Sequence, residues 1–224
     1  MKQTQALDSV AYEMIKQKIM DGTYKMRQPL REETLAEELQ ISRTPIRQAL
    51  RQLEGEDFVE IISFRGCFVR ELTTDDIREI YLIRSALESA CARAVTPIIS
   101  AANIDLLTMS QQEAEQLASL ANYEESREIG RRLHTVCIEV GGGRRVQKIL
   151  KNLSEQIDRL DYLSAQVPGR LERSNQEHAT ILQAIIGRDA DKVESLMRQH
   201  IMSTCEDVIM AVRNEISPLY YTSP

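Results

Sequence analysis

The sequence predicts a mainly α-helical chain: an N-terminal winged helix-turn-helix of three helices and a β-hairpin, then an all-α bundle of six helices. Three observations carry this. Two short amphipathic stretches, Thr34–Leu39 and Ile41–Leu53, follow one another with almost no chain between them, the spacing of a helix-turn-helix. Two short apolar runs joined through a glycine come directly after. From Ile77 onward every long segment has helical period. The expected division is a first domain over residues 1–72, a linker over 73–76 and a helical domain over 77–224.

In the first domain, Val10, Met14, Ile15 and Ile19 have helical spacing, and Asp21-Gly22 ends that helix. In Ile41–Leu53, Ile46, Ala49, Leu50 and Leu53 fall on one stripe at about 100° per residue. Arg43, Arg47 and Arg51 recur every fourth position on a flank about a right angle away. Ser42 or Thr44 can cap the start, and Pro45 sits in the first turn, where its missing N–H costs nothing. The second helix of such a unit enters the major groove, and guanidinium suits guanine O6/N7 or phosphate. An ordinary solvated helix face has the same appearance. Phe58–Ile62 and Cys67–Val69, joined by Ser63-Phe64-Arg65-Gly66, are the wing, whose tip can approach phosphates or the minor groove.

After Leu72-Thr73-Thr74-Asp75-Asp76, a helix runs from Ile77 toward Val95 with Ile80, Ile83, Leu87 and Ala90 on one stripe, and Pro97 breaks it. Further helices are expected over 101–120, 123–140, 144–165, 170–186 and 190–213, divided by Gly141-Gly142-Gly143, Pro168-Gly169 and Gly187. The terminal SPLYYTSP is expected to fray.

Composition narrows the function. The 224 residues are 42% hydrophobic and 28% charged, ordinary for a globular protein. No apolar run is long enough to span a bilayer and no apolar leader is visible, so the expected location is the cytoplasm. Cys67, Cys91, Cys137 and Cys205 lack metal-type spacing and are expected to be reduced core residues. The net charge is −6, and residues 1–72 hold 11 Lys/Arg against 12 Asp/Glu. A net-acidic binder of nucleic acid must rely on its local Arg face and on two such faces in a homodimer.

The string SRTPIRQALRQLEGEDFV followed by EIISFRGCFVREL resembles the winged-helix domain of the GntR family of bacterial transcription regulators, over about Ala11 to Leu72. That resemblance implies DNA contacts from Arg43, Thr44 and Arg47, with Arg51 on the same face, and a wing tip at Arg65-Gly66. The chain has Met26-Arg27 where the family commonly has Pro-Gly, and Gln48-Ala49 where it commonly has Glu-Ala.

The segments IREIYLIRSALESACARAV and EHATILQAIIGRDADKVESLMRQHI resemble the FCD ligand-binding domain of the FadR subfamily, over roughly Asp76 to Val212. This implies an effector cavity, often with a divalent metal, and dimerisation that sets two winged helices on a palindromic operator. His134, His178 and His200 lie on three different predicted helices beside apolar stripes, and three imidazoles with an open position are a zinc-type donor set. They match the family's three metal-binding His; zinc fits first, with nickel and manganese as alternatives. The family's fourth ligand, an Asp, is Gly130 here, and an Asn position is Gly143. Arg84 matches an Arg that faces the pocket and can pair with a carboxylate effector; an i,i+4 ion pair with Glu88 is its other reading.

Three functions therefore compete: a dimeric regulator controlled by an acidic small molecule, a DNA-binding dimer without an effector, and a metal-dependent enzyme. No His is preceded by Glu at the E-x-x-H spacing, and no nucleophile with a positioned base is visible. The expectation is not an enzyme.

Overall fold

The structure, a computed structural model, describes residues 2–20, 22–165 and 167–213. The terminal segment expected to fray lies outside them. The chain divides into two compact units, with the boundary between Thr73 and Thr74.

The first unit contains α1 (Lys2–Met20), α2 (Glu32–Leu39), α3 (Arg43–Gly55), β1 (Val59–Ile62) and β2 (Gly66–Val69). The strands pair antiparallel, Val59 opposite Val69 and Ile62 opposite Gly66. The segment before α2 extends the sheet: Arg27 N–H donates to Val69 O, Val69 N–H to Gln28 O and Leu30 N–H to Cys67 O. Pro29, lacking an N–H, bridges Phe68 at this edge. Ile15, Ile19, Ile46, Leu53 and Val69 fill the core. On α1 the buried stripe is Ala11, Tyr12, Ile15 and Ile19, whereas Val10 and Met14 stand partly exposed. The expected stripe was thus turned by about one residue.

Gln40 ends α2 in the left-handed conformation (φ 56°), and Ile41 N–H reaches back to Ala36 O, a C-terminal closure of the αL type. Ser42 occupies the N-cap of α3 with extended backbone, but no side chain caps this helix. Its start is set by Pro45 and by burial of Ile46, Ala49, Leu50 and Leu53.

The second unit holds seven helices among the described residues: α4 (Thr74–Val95), α5 (Ala101–Ser119), α6 (Tyr123–Gly130), α7 (Arg132–Gly141), α8 (Arg144–Ala165), α9 (Arg170–Ile186) and α10 (Ala190–Arg213). Thr74, Asp75 and Asp76 are the first turn of α4. The segment 123–140, expected as one helix, is two, joined through Arg131 with near-helical backbone (φ −64°, ψ −18°). α10 packs on α4, α8 and α9, α5 on α6 and α9, and α7 on α4. Gly141 makes the last contact possible, since a Cβ there would lie 2.1 Å from the Cys91 carbonyl oxygen.

The buried face of α4 differs from the expected stripe. Ile77, Ile80, Tyr81, Arg84, Ser85, Glu88, Cys91 and Ala92 point inward, while Ile83 and Ala90 are exposed and Leu87 only half-buried. The cysteines are free, three buried and Cys67 partly so. Burial pushes the Cys67 and Cys137 thiols up to about 12, so neither forms a thiolate nucleophile. Among the described residues no helix is long and apolar enough to cross a membrane.

Candidate functional sites: an arginine face and a three-histidine centre

In the first unit α2, α3 and the wing enclose an open concavity of about 1440 Å³ lined by Arg31, Arg43, Arg47, Arg51, Arg65 and Gly66. Arg43, Arg47 and Arg51 stand clear of the core because Ile46, Ala49, Leu50 and Leu53 anchor the opposite side of α3. Thr44 is exposed beside them. Two acidic residues of α2 also take part. Glu32 accepts from Arg47 Nε and Nη2 at 2.8 and 2.6 Å, and Glu33 pairs with Arg43 at 2.8 Å. The bond to Arg47 holds the Glu32 carboxyl below its usual range.

In the second unit His134 on α7, His178 on α9 and His200 on α10 converge. Their Nε2 atoms face one another, His134 to His178 at 3.2 Å and His178 to His200 at 3.1 Å. The outer nitrogens explain why. His134 Nδ1 lies 2.5 Å from Glu88 Oε2, and His200 Nδ1 lies 2.7 Å from Glu177 Oε2. An ionised carboxylate only accepts, so each Nδ1 carries the proton and each Nε2 turns a lone pair inward.

The carboxylates are themselves held. Arg84 Nε donates to Glu88 at 2.8 Å, and Arg170 Nη2 donates to Glu177 at 3.0 Å and to Thr204 Oγ1 at 2.7 Å. Burial alone would raise the Glu88 carboxyl, but Arg84 and His134 outweigh it and bring it down to about 2. Burial, reinforced by neighbouring cations and imidazoles, holds His178 and His200 well below the usual imidazole range. Neutral rings are the form a metal requires.

His178 differs from the other two. Its Nδ1 is buried without a partner among the described residues, and a Cβ on Gly130 would come 3.4 Å from it. Arg127 Nη1 is likewise buried without a partner among the described residues. Gly130, Arg127 and His178 line one cleft of about 490 Å³ with Arg170 and the other two histidines. A second cleft, of about 910 Å³ between α4, α7 and α8, shares Arg84, Arg131, His134 and Asp161 with the first.

Arg84 borders both clefts, yet its charge is matched by Glu88 and, at 2.7 Å, by Asp161. The i,i+4 pair with Glu88 is therefore present. Asp161, Arg127, Arg170 and Glu177 escaped the sequence reading, as did the bond from His134 to Glu88. Glu177 offered the one local signal, as the residue immediately before His178.

The bacterial regulatory proteins, gntR family, match residues 7–69, and the FCD domain matches residues 79–203. An uncharacterised HTH-type transcriptional regulator of Bacillus subtilis, YdhC, is 27% identical over 87% of this chain and 88% of its own. The HTH-type transcriptional repressor RspR of Escherichia coli is 24% identical over 92% of this chain and 90% of its own. A GntR-type transcriptional regulator structure from Rhodococcus sp. RHA1 shares the fold with a TM-score of 0.67 at 17% identity, over 94% of this chain and 99% of that one. The Arg face, the wing and the helical domain thus have one setting: the chain belongs to the GntR family and is a DNA-binding transcription regulator, not an enzyme, with a C-terminal FCD effector domain.

Proposed function

We propose that the helical domain senses a carboxylate-bearing metabolite through a divalent metal held by His134, His178 and His200, and that a homodimer of the chain binds a palindromic operator from the cytoplasm. The convergence of the Nε2 atoms carries this reading. Nitrogens about 2.1 Å from one ion lie roughly 3.0–3.4 Å apart in octahedral or tetrahedral geometry, close to two of the separations, and the inward lone pairs of His134 and His200 suit a cation between them. Carboxylates behind two of the ligands are the usual supporting arrangement. Zinc suits three neutral imidazoles first, with nickel and manganese as alternatives. When bound, the ion supplies a positive charge that attracts an anionic ligand.

The chain's own residues favour the same ligand class. Arg127 and His178 line one cleft with Gly130, and Arg127 Nη1 and His178 Nδ1 lack partners among the described residues, so an oxyanion in that cleft can accept from them. Arg84 serves the site through Glu88 and Asp161 and not by pairing with the ligand directly. Arg43, Thr44, Arg47 and Arg51 face the major groove, and Arg65-Gly66 approach the backbone. Dimerisation is supported by the exposed apolar side chains Leu82 and Ile83 on α4 and by the modest charge of one Arg face.

The test is titration of zinc-loaded and zinc-stripped protein with acetate, lactate, succinate and citrate, followed by calorimetry and by release from a DNA duplex selected by the protein. A metal-dependent response to at least one acid is expected, with a sedimenting species of two chains per duplex. Zinc retention without any carboxylate response would leave a DNA-binding dimer with a structural metal. A single chain on the duplex would remove the dimer.

A further inference from the structure

We propose that Phe64, at the tip of the wing, is a DNA contact that enters the minor groove beside the site read by α3. Arg65 N–H donates to Ile62 O at 3.0 Å, closing a turn over Ile62-Ser63-Phe64-Arg65. Phe64 holds φ 63° while Ser63 does not take positive φ. This is the sign pattern of a type II turn, whose third position favours Gly or Asn because a Cβ is crowded there. Among the described residues Phe64 is also the most exposed large hydrophobic side chain, standing fully in solvent. The hairpin gains nothing from it: the ladder runs from Val59–Val69 to Ile62–Gly66, and the wing's buried residues are Phe58, Val59 and Val69 at its base. An aromatic ring has therefore been placed where it strains the backbone and contacts no core.

The neighbours say what covers it. Arg65 and Gly66, next in the chain, line the same concavity as Arg43, Arg47 and Arg51, so a duplex seated on α3 brings the tip against its flank. Minor-groove walls are sugar edges, and apolar side chains enter there to cover them or to wedge a base step. Arg65 alongside meets the negative potential of a narrow groove. Phosphate contacts alone have no use for an aromatic ring. The ring leaves water only on DNA, so its contribution appears in binding and its strain in the free protein. It also makes the wing sensitive to the deformability of the step beneath it, with TA and CA/TG the easiest to open.

The experiment uses the full chain and a duplex selected by wild type from a random-sequence pool. Phe64→Gly and Phe64→Asn are expected to melt at or above the wild-type temperature and to bind the selected duplex about tenfold more weakly. Phe64→Leu should stay within about threefold of wild type. Pools selected by Phe64→Gly should lose any enrichment of pyrimidine–purine steps flanking the core site. Affinities of both Phe64→Gly and Phe64→Asn within about twofold of wild type would overturn the proposal. So would a weaker binding that came with a lower melting temperature, since the ring would then be supporting the wing.

Discussion

Removing the metal is the perturbation that separates a three-histidine centre from a cluster of core histidines. A site of three imidazoles with two carboxylates behind them binds its ion only in the native state, because the unfolded chain does not bring residues 134, 178 and 200 together. An ion present at a thousand times its dissociation constant stabilises by about 4 kcal/mol. At roughly 2–4 °C per kcal/mol for a protein of this size, chelation should lower the melting temperature by about 8–16 °C. The pH dependence has a definite sign. His178 and His200 are depressed by burial and nearby cations, so the unfolded state takes up protons first. Their contribution is fully present above the unfolded imidazole value of about 6.5 and is lost as pH falls below it. Zinc-loaded and chelated protein should both lose stability below about pH 6.5, while the gap between them closes only at lower pH, once the native His178 and His200 themselves take up protons. Scanning calorimetry with elemental analysis measures both. Protein that carries no metal, and whose melting ignores added zinc, nickel and manganese, would refute the reasoning and leave the histidines as core residues.

Arg43→Ala and Arg47→Ala should each weaken specific DNA binding by about 1–3 kcal/mol without loss of fold, read by fluorescence anisotropy; unchanged affinity in both would remove α3 as the recognition helix. Gly130→Asp places a carboxylate beside His178, where a Cβ makes an ordinary 3.4 Å contact. The ion should become harder to strip and the response to added carboxylates should disappear, both by calorimetry; a retained response would place the ligand elsewhere. Gly141→Ala drives a methyl into the Cys91 carbonyl and against Val95 N, so α7 must retreat from α4 at a cost of about 1–3 kcal/mol or more. A wild-type denaturation midpoint would contradict that contact.

The sequence exposed most where local chemistry sets the structure and least where distant residues do. The helix-turn-helix, the wing and the helical domain follow from short-range period, turn residues and breakers. Apolar periodicity failed on α4 because the inward face carries Arg84 and Glu88, and charged residues count against burial until their partners are known. Those partners are Asp161 and His134, 77 and 46 residues away. The missed break at Arg131 has a different cause. Its backbone stays near helical and Arg131 N–H still bonds Arg127 O, so no breaker residue marks it. Likewise the three histidines were legible as scarce residues on three helices. Glu177 could be seen as a neighbour of His178 in the chain, but not as the acceptor for His200, 23 residues on.

How a net-acidic winged helix binds DNA selectively turns on Glu32 and Glu33. They neutralise Arg47 and Arg43 in the free protein, so each guanidinium must exchange a carboxylate for DNA. A lone phosphate returns little more than the carboxylate already gave. A guanine edge, taken bidentately at O6 and N7, returns more, and the displaced carboxylate meets repulsion from any backbone that approaches without that compensation. The pairs thus lower binding to arbitrary sequence more than binding to the right one. Glu32→Gln keeps the shape and removes the charge. It should raise affinity for random-sequence duplex more than for a selected duplex, narrowing their ratio, and should make both less sensitive to pH in the carboxylate range, where Glu32 is held low by Arg47. Anisotropy titrations at one fixed salt concentration measure the ratio. A ratio equal to that of wild type would show that Arg47 leaves Glu32 without consequence for selectivity.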